Sequence, residues 1–125
     1  MVVIDTSLII DHLRQKPENS QLVKLEARFA DERLAISLVT VQELYEGRSV
    51  GDKDKEREMV SVLAGLEILP YSYEVAKSAG KLNRNLSRPL DLADAAIAAT
   101  AISNGAQLAT LNKKDFAGIE ELELI

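Results

Sequence analysis

Short apolar runs alternate along this chain with segments of helical period, and that alternation restricts the fold more than any other feature. Met1–Asp5, Leu34–Leu38, Leu66–Leu69 and Gln107–Thr110 read as strands. Between them Ser7–Arg14, Ser20–Ala30, Val39–Arg48 and Asp52–Gly65 carry apolar residues at helical spacing, as does a long segment capped by Ser72. Pro17–Asn19 reads as a loop, Pro70 stops the third strand, and Pro89 ends the long helix. Leu92–Ser103 is a further helix, stopped at Asn104-Gly105, and its alanines let it lie close against a sheet. Lys114–Gly118 is a short turn or helix, and Leu122–Ile125 is a candidate fifth strand. Strands that alternate with helices pair in parallel, so a doubly wound α/β sheet is expected.

At 125 residues and 46% hydrophobic, the chain suits one domain spanning residues 1–125, with no repeat or linker. The segment Arg48–Lys55, rich in charge beside Gly51, is expected to be the most mobile. The absence of cysteine removes disulfides, zinc knuckles and thiol nucleophiles, and a cytoplasmic home is the default expectation. The N-terminus lacks the basic and apolar regions of a signal peptide, and no apolar run is long enough for a membrane span. A net charge of −5 argues against nonspecific nucleic-acid binding through phosphate neutralisation, though not against a nucleic-acid enzyme.

Four acids carry the chemical signal. Asp5 closes the first strand, and Glu43, Asp94 and Asp115 each sit at an expected helix start. Helix capping accounts for any one of them alone: Thr40 to Glu43 matches a capping box, and Asp91–Asp94 and Asn112–Asp115 repeat its spacing. Taken together they point elsewhere. Successive right-handed crossovers bring strand-to-helix turns to one sheet edge, where open α/β sheets place their chemistry. Asp94 lies among alanines, so it is expected to be partly buried and to need a partner. Converging carboxylates repel unless a cation lies among them, and hard oxygen ligands suit Mg²⁺ or Mn²⁺. Such ions work mainly on phosphoryl groups, which frees the protein from supplying a nucleophile or a histidine base.

Four segments now resemble the signatures of a known family. Val2-Val-Ile-Asp-Thr-Ser7, Ser37 to Gly47, Asp94-Ala-Ala-Ile-Ala-Ala99 and Leu108 to Phe116 are similar, in order, to those of PIN domains, and nearest to VapC-like toxins of toxin–antitoxin pairs. The resemblance implies a three-layer α/β/α sandwich around a parallel sheet of four to five strands. It implies a Mg²⁺- or Mn²⁺-dependent endoribonuclease, a homodimer, and control by a cognate antitoxin. Asp5, Glu43 and Asp94 match the three acids of the family's metal site. At the fourth position this chain has Asn112 where many PIN domains have Asp, and Asp115, one turn on, matches an acid that VapC-like members often use. Thr6, Ser7 and Thr110 have hydroxyls placed to hydrogen-bond the carboxylates, and Asn112 is a candidate to orient water.

The remaining polar residues admit two readings. Lys81–Arg88 is basic without an acid, so Arg84 and Arg88 form either a solvated helix end or a phosphate-contacting edge. Lys113 and Lys114 flank the fourth segment and are candidate RNA contacts. Asp91 is expected to cap the helix carrying Asp94, Glu46 to be a solvated rim charge, and His12 to be structural or exposed. A catalytically weak PIN-fold binding module, a PIN nuclease of RNA processing outside a toxin–antitoxin pair, and a receiver-like domain phosphorylated on Asp5 are the competing readings. The last expects a second acid near Asp5, and position 7 is Ser.

Overall fold

Val2, Val3 and Ile4 are all fully buried, as a strand covered on both faces must be. The computed structural model describes residues 1–47 and 50–125. In chain order the elements are β1 (Val2–Ile4), α1 (Thr6–Arg14), a 3₁₀ turn (Pro17–Asn19), α2 (Gln21–Arg28), β2 (Leu34–Ser37), α3 (Leu38–Glu46) and α4 (Lys53–Ala64). Then follow β3 (Glu67–Leu69), α5 (Tyr73–Asn85), α6 (Leu92–Ser103), β4 (Gln107–Ala109) and a 3₁₀ turn (Lys113–Phe116).

The four strands pair in parallel in the order β3-β2-β1-β4. The chain therefore builds outward from β1 through β2 to β3, then crosses back to lay β4 on β1's other side. Side chains of β1 alternate between two cores. Val2 and Ile4 pack with Leu8, Leu22 and Met59 from α1, α2 and α4, whereas Val3 packs with Ile97, Ala98 and Ala101 from α6. Helices thus cover both faces of the sheet, giving the three-layer α/β/α arrangement.

Helix α6 buries seven consecutive residues, Ala95 to Ala101. Small side chains permit this: α6 meets the sheet on one side, and Val75 and Ala79 of α5 pack against Ala95 and Ala99. The expected stop at Gly105 is in place, with φ of 61° where a Cβ would be strained.

Three boundaries differ from the sequence reading. The segment Leu122–Ile125 forms one parallel bridge, Leu108 to Leu124, instead of a full fifth strand. Helix α5 stops at Asn85, well before Pro89. There Asn83 bonds both backbone groups of Leu90, donating to its carbonyl at 2.9 Å and accepting from its N–H at 2.8 Å, so the chain turns away and Arg88 falls in a loop. Helix α3 begins directly after β2, capped by Ser37, whose hydroxyl accepts from Val39 N–H at 3.2 Å. Glu43 is consequently in its second turn, and Thr40 is an interior residue instead of the cap. Arg48, expected to end that helix and to open the mobile segment, lies outside the described residues.

Candidate active site between β1 and β4

Strand order reverses between β1 and β4, and open α/β sheets bind ligands at such a reversal. Asp5 follows β1 and Thr110 follows β4. The Asp5 N–H donates to Ala109 O at 2.9 Å, which sets both side chains at the sheet's carboxyl edge.

Asp5 occupies the N-cap position of α1, yet its side chain makes no cap bond. Its Oδ2 instead accepts from Ser7 Oγ and from Thr110 Oγ1, each at 2.7 Å. Those two hydroxyls are themselves aimed. Ser7 Oγ accepts from Leu111 N–H at 3.2 Å and Thr110 Oγ1 from Asn112 N–H at 3.0 Å. Each hydroxyl has one proton, and the backbone donors leave that proton free to point at Asp5. The carboxylate is 4% exposed and held at one oxygen. Its Oδ1 takes no hydrogen bond from the described residues, and no buried side-chain oxygen among them is left unpaired, so Oδ1 opens toward solvent.

Glu43 is held the same way. Its Oε1 accepts from Thr6 Oγ1 at 2.6 Å. Thr40 Oγ1 lies 3.0 Å from Thr6 Oγ1 and is fully buried. Thr6 spends its single proton on the carboxylate, so Thr40 donates into Thr6 and completes a short relay. Burial raises the Glu43 carboxyl above its usual value, the Thr6 bond opposes this, and Asp5, Asp91 and Glu46 add repulsion.

Asp94 projects from the first turn of α6, whose N-cap Asp91 accepts from Asp94 N–H at 2.8 Å. Its carboxyl is pushed up to about 6, first by burial and then by the charges of Asp91, Asp5, Glu43 and Asp115. These acids therefore share one electrostatic field. Among the described residues the ion pairs lie elsewhere, at Met1–Glu32, Arg33–Glu67 and Arg57–Asp54. Asp115 meets Asp94 across a cavity of about 540 Å³, whose walls also include Asp91, Arg88 and Lys114.

An all-oxygen donor set with unneutralised, mutually repelling carboxylates fits a hard divalent cation. Among the described residues no three such side chains stand close enough together, as placed, to hold a metal ion.

The family model described as PIN domain matches residues 2–122. The chain belongs to the PIN domain family. Ribonuclease VapC10 of Mycobacterium tuberculosis is 34% identical over 126 residues, covering 98% of this chain and 91% of its own. The VapC ribonuclease Y4jK of Sinorhizobium fredii is 29% identical, covering 96% and 94%. Among solved structures, the VapBC2 complex of Rickettsia felis bound to a promoter DNA fragment matches with a TM-score of 0.83 at 28% identity, covering 100% of this chain and 98% of that one. A DNA-bound VapBC from Salmonella typhimurium matches at 0.85 and 25% identity, covering 99% and 96%.

Within this PIN domain, Asp5, Glu43, Asp94 and Asp115 share the field that pushes Asp94 up, and Thr6, Ser7 and Thr110 each contact a carboxylate or its partner hydroxyl. Asn112 is exposed and uses its backbone N–H on Thr110. Arg88 and Lys114 wall the cavity, whereas Arg84 is exposed on the last turn of α5 and Lys113 faces a different cleft. Thr40 escaped the sequence reading because its spacing to Glu43 imitates a capping box. Asp91 is both the cap and a wall of the cavity. Glu46 is exposed and accepts from Gln42 Nε2 at 2.9 Å. His12 Nδ1 lies 2.7 Å from Ser20 Oγ, which caps α2, so the histidine is structural. Among the described residues no helix is long and apolar enough to cross a membrane.

Proposed function

We propose that this PIN domain is a divalent-metal-dependent endoribonuclease and the toxin of a toxin–antitoxin pair. The carrying observation is Asp5, locked through one oxygen and open through the other, in one field with Glu43, Asp94 and Asp115. Ribonuclease relatives at near full-length coverage support the reaction, and the toxin–antitoxin complexes among its structural neighbours support the pairing.

Asp5, Glu43 and Asp94 would hold Mg²⁺ or Mn²⁺, with Asp115 completing the site. When bound, the ion activates water and polarises the scissile phosphoryl group. The chain's own residues do the rest. Ser7 and Thr110 keep the Asp5 carboxylate in one orientation, and the Thr40–Thr6 relay does the same for Glu43. Arg88 and Lys114 supply positive charge to the far wall, where substrate phosphate enters. Asn112 has its side chain free to position water. The protein acts in the cytoplasm as a homodimer, and its antitoxin silences it by placing a basic side chain among the acids.

Incubating purified protein with RNA and Mn²⁺ or Mg²⁺ tests the reaction. Cleavage that EDTA abolishes is the expected result, and no cleavage with either ion would defeat it. Thr110→Val, which keeps shape but removes one donor to Asp5, should lower Mn²⁺ affinity by roughly 10–100-fold in calorimetry. Unchanged affinity would remove Thr110 from the site. The substitution at Asn112 favours one alternative, a binding module of weak activity. Calorimetry that detects neither ion would favour it.

A further inference from the structure

A second cleft adjoins the acid centre from its opposite side. Its volume is about 270 Å³, and its walls include Gln21, Lys24 and Arg28 of α2 together with Thr110, Leu111 and Lys113. Gln21, Lys24 and Arg28 are spaced three and four residues apart, so they form one stripe along α2. That stripe looks across to the exit of β4. No acidic side chain lines the cleft among the described residues, in a chain with 20 acids against 15 bases. Lys24, Arg28 and Lys113 are exposed and form no ion pair among the described residues. Arg28 instead lies over the Phe29 ring, 4.8 Å from its centre, which steadies its guanidinium.

Two contacts tie this cleft to the centre. Thr110 lines it and also donates to Asp5 Oδ2 at 2.7 Å. The adjacent lysines of the 3₁₀ turn diverge: Lys113 faces this cleft, and Lys114 faces the cavity of Asp94 and Asp115. Positive charge therefore flanks the acids on both sides, with the turn between them.

We infer that Lys24, Arg28 and Lys113 form a phosphate-binding subsite for single-stranded RNA, on the opposite flank of the acid centre from Arg88 and Lys114. The inference rests on the ribonuclease reading for its ligand. A strand lying over the turn would present one phosphate to the acids and a neighbouring stretch of backbone to this cleft. The charge is complementary, and the shallow wall around Leu111, itself 47% exposed, offers an apolar surface to a base.

The test is binding in EDTA, where no cleavage occurs. A labelled 12-nucleotide single-stranded RNA is titrated with wild type, with Lys24→Ala/Arg28→Ala, and with Lys53→Ala/Lys55→Ala, which removes equal charge from α4. The first variant should bind roughly 10-fold more weakly, and its salt dependence should flatten by about 1.4 in log–log slope, 0.7 for each lost phosphate contact. The α4 variant should match wild type. Wild-type affinity and slope in the α2 variant would overturn the subsite, as would an equal loss in both variants. Unaltered RNA binding with weakened binding of a protein partner would assign the cleft to that partner and also overturn it. Circular dichroism checks folding, and Lys24→Gln/Arg28→Gln repeats the test should the alanine protein melt early. Failure of wild type to cleave RNA with Mn²⁺ would defeat the proposed reaction and leave this binding comparison standing on its own result.

Discussion

Asp5→Asn protein is expected to cleave RNA on the order of 10³-fold more slowly than wild type while remaining folded. The size follows from the two hydroxyls that donate to Oδ2. An asparagine has one oxygen and one NH₂. With its oxygen toward Ser7 and Thr110, the NH₂ faces the position where a cation and phosphate would lie, and repels the cation. With the amide flipped, two hydroxyl donors meet a third donor in a site that is 4% exposed. Neither orientation keeps both halves of the arrangement. Single-turnover cleavage and Mn²⁺ calorimetry measure the loss, and circular dichroism reports the fold. Cleavage near the wild-type rate would take Asp5 out of the mechanism.

Asp94→Asn should combine a comparable loss of activity with a gain in stability. Folding raises the Asp94 carboxyl from its ordinary 3.8 to about 6, so the folded state holds that proton more tightly than the unfolded chain does. The resulting stabilisation is complete below pH 3.8 and is lost as pH rises through about 6. Metal-free wild type at pH 7.5 therefore carries an unfavourable charge that Asn removes. After discounting for solvent screening at this partly exposed site, the gain is on the order of 1 kcal/mol, or a Tm higher by about 2–5 °C. At pH 5 the folded carboxyl is largely protonated but the unfolded one is not, so the gap should narrow to about half, and the two proteins should melt together only below pH 3.8. Adding Mn²⁺ at pH 7.5 should raise the wild-type Tm and leave the variant's unchanged. A variant that melts lower than wild type at pH 7.5 would show that Asp94 carries no such repulsion.

Both substitutions fall on residues that the sequence already singled out, and the reason is physical. Strand periods, a buried alanine helix and acids at helix starts are local signals, so Asp5 and Asp94 were legible from their neighbours. The bonds that give them meaning are not local. Thr110 is 105 residues from Asp5, and Thr6 is 37 from Glu43. Short-range spacing misled where a tertiary contact won. Thr40 and Glu43 imitate a capping box, but Ser37 starts the helix a turn earlier because β2 runs into α3 without a loop. Pro89 marked the latest possible end of α5, and the Asn83–Leu90 bonds set the actual one. Lys24 and Arg28 look like ordinary surface charges until α2 is laid beside the end of β4.

The pairing of β4 with the free side of β1 has a bearing on synthesis. Asp5 leaves the ribosome 105 positions ahead of its partner Thr110. Domains acquire tertiary contacts as chain emerges, and a contact of such long range closes last. A nascent or prematurely released chain that lacks β4 has Asp5 without its Thr110 anchor. The centre is thus assembled only once β4 has emerged, and products truncated before it are born without it.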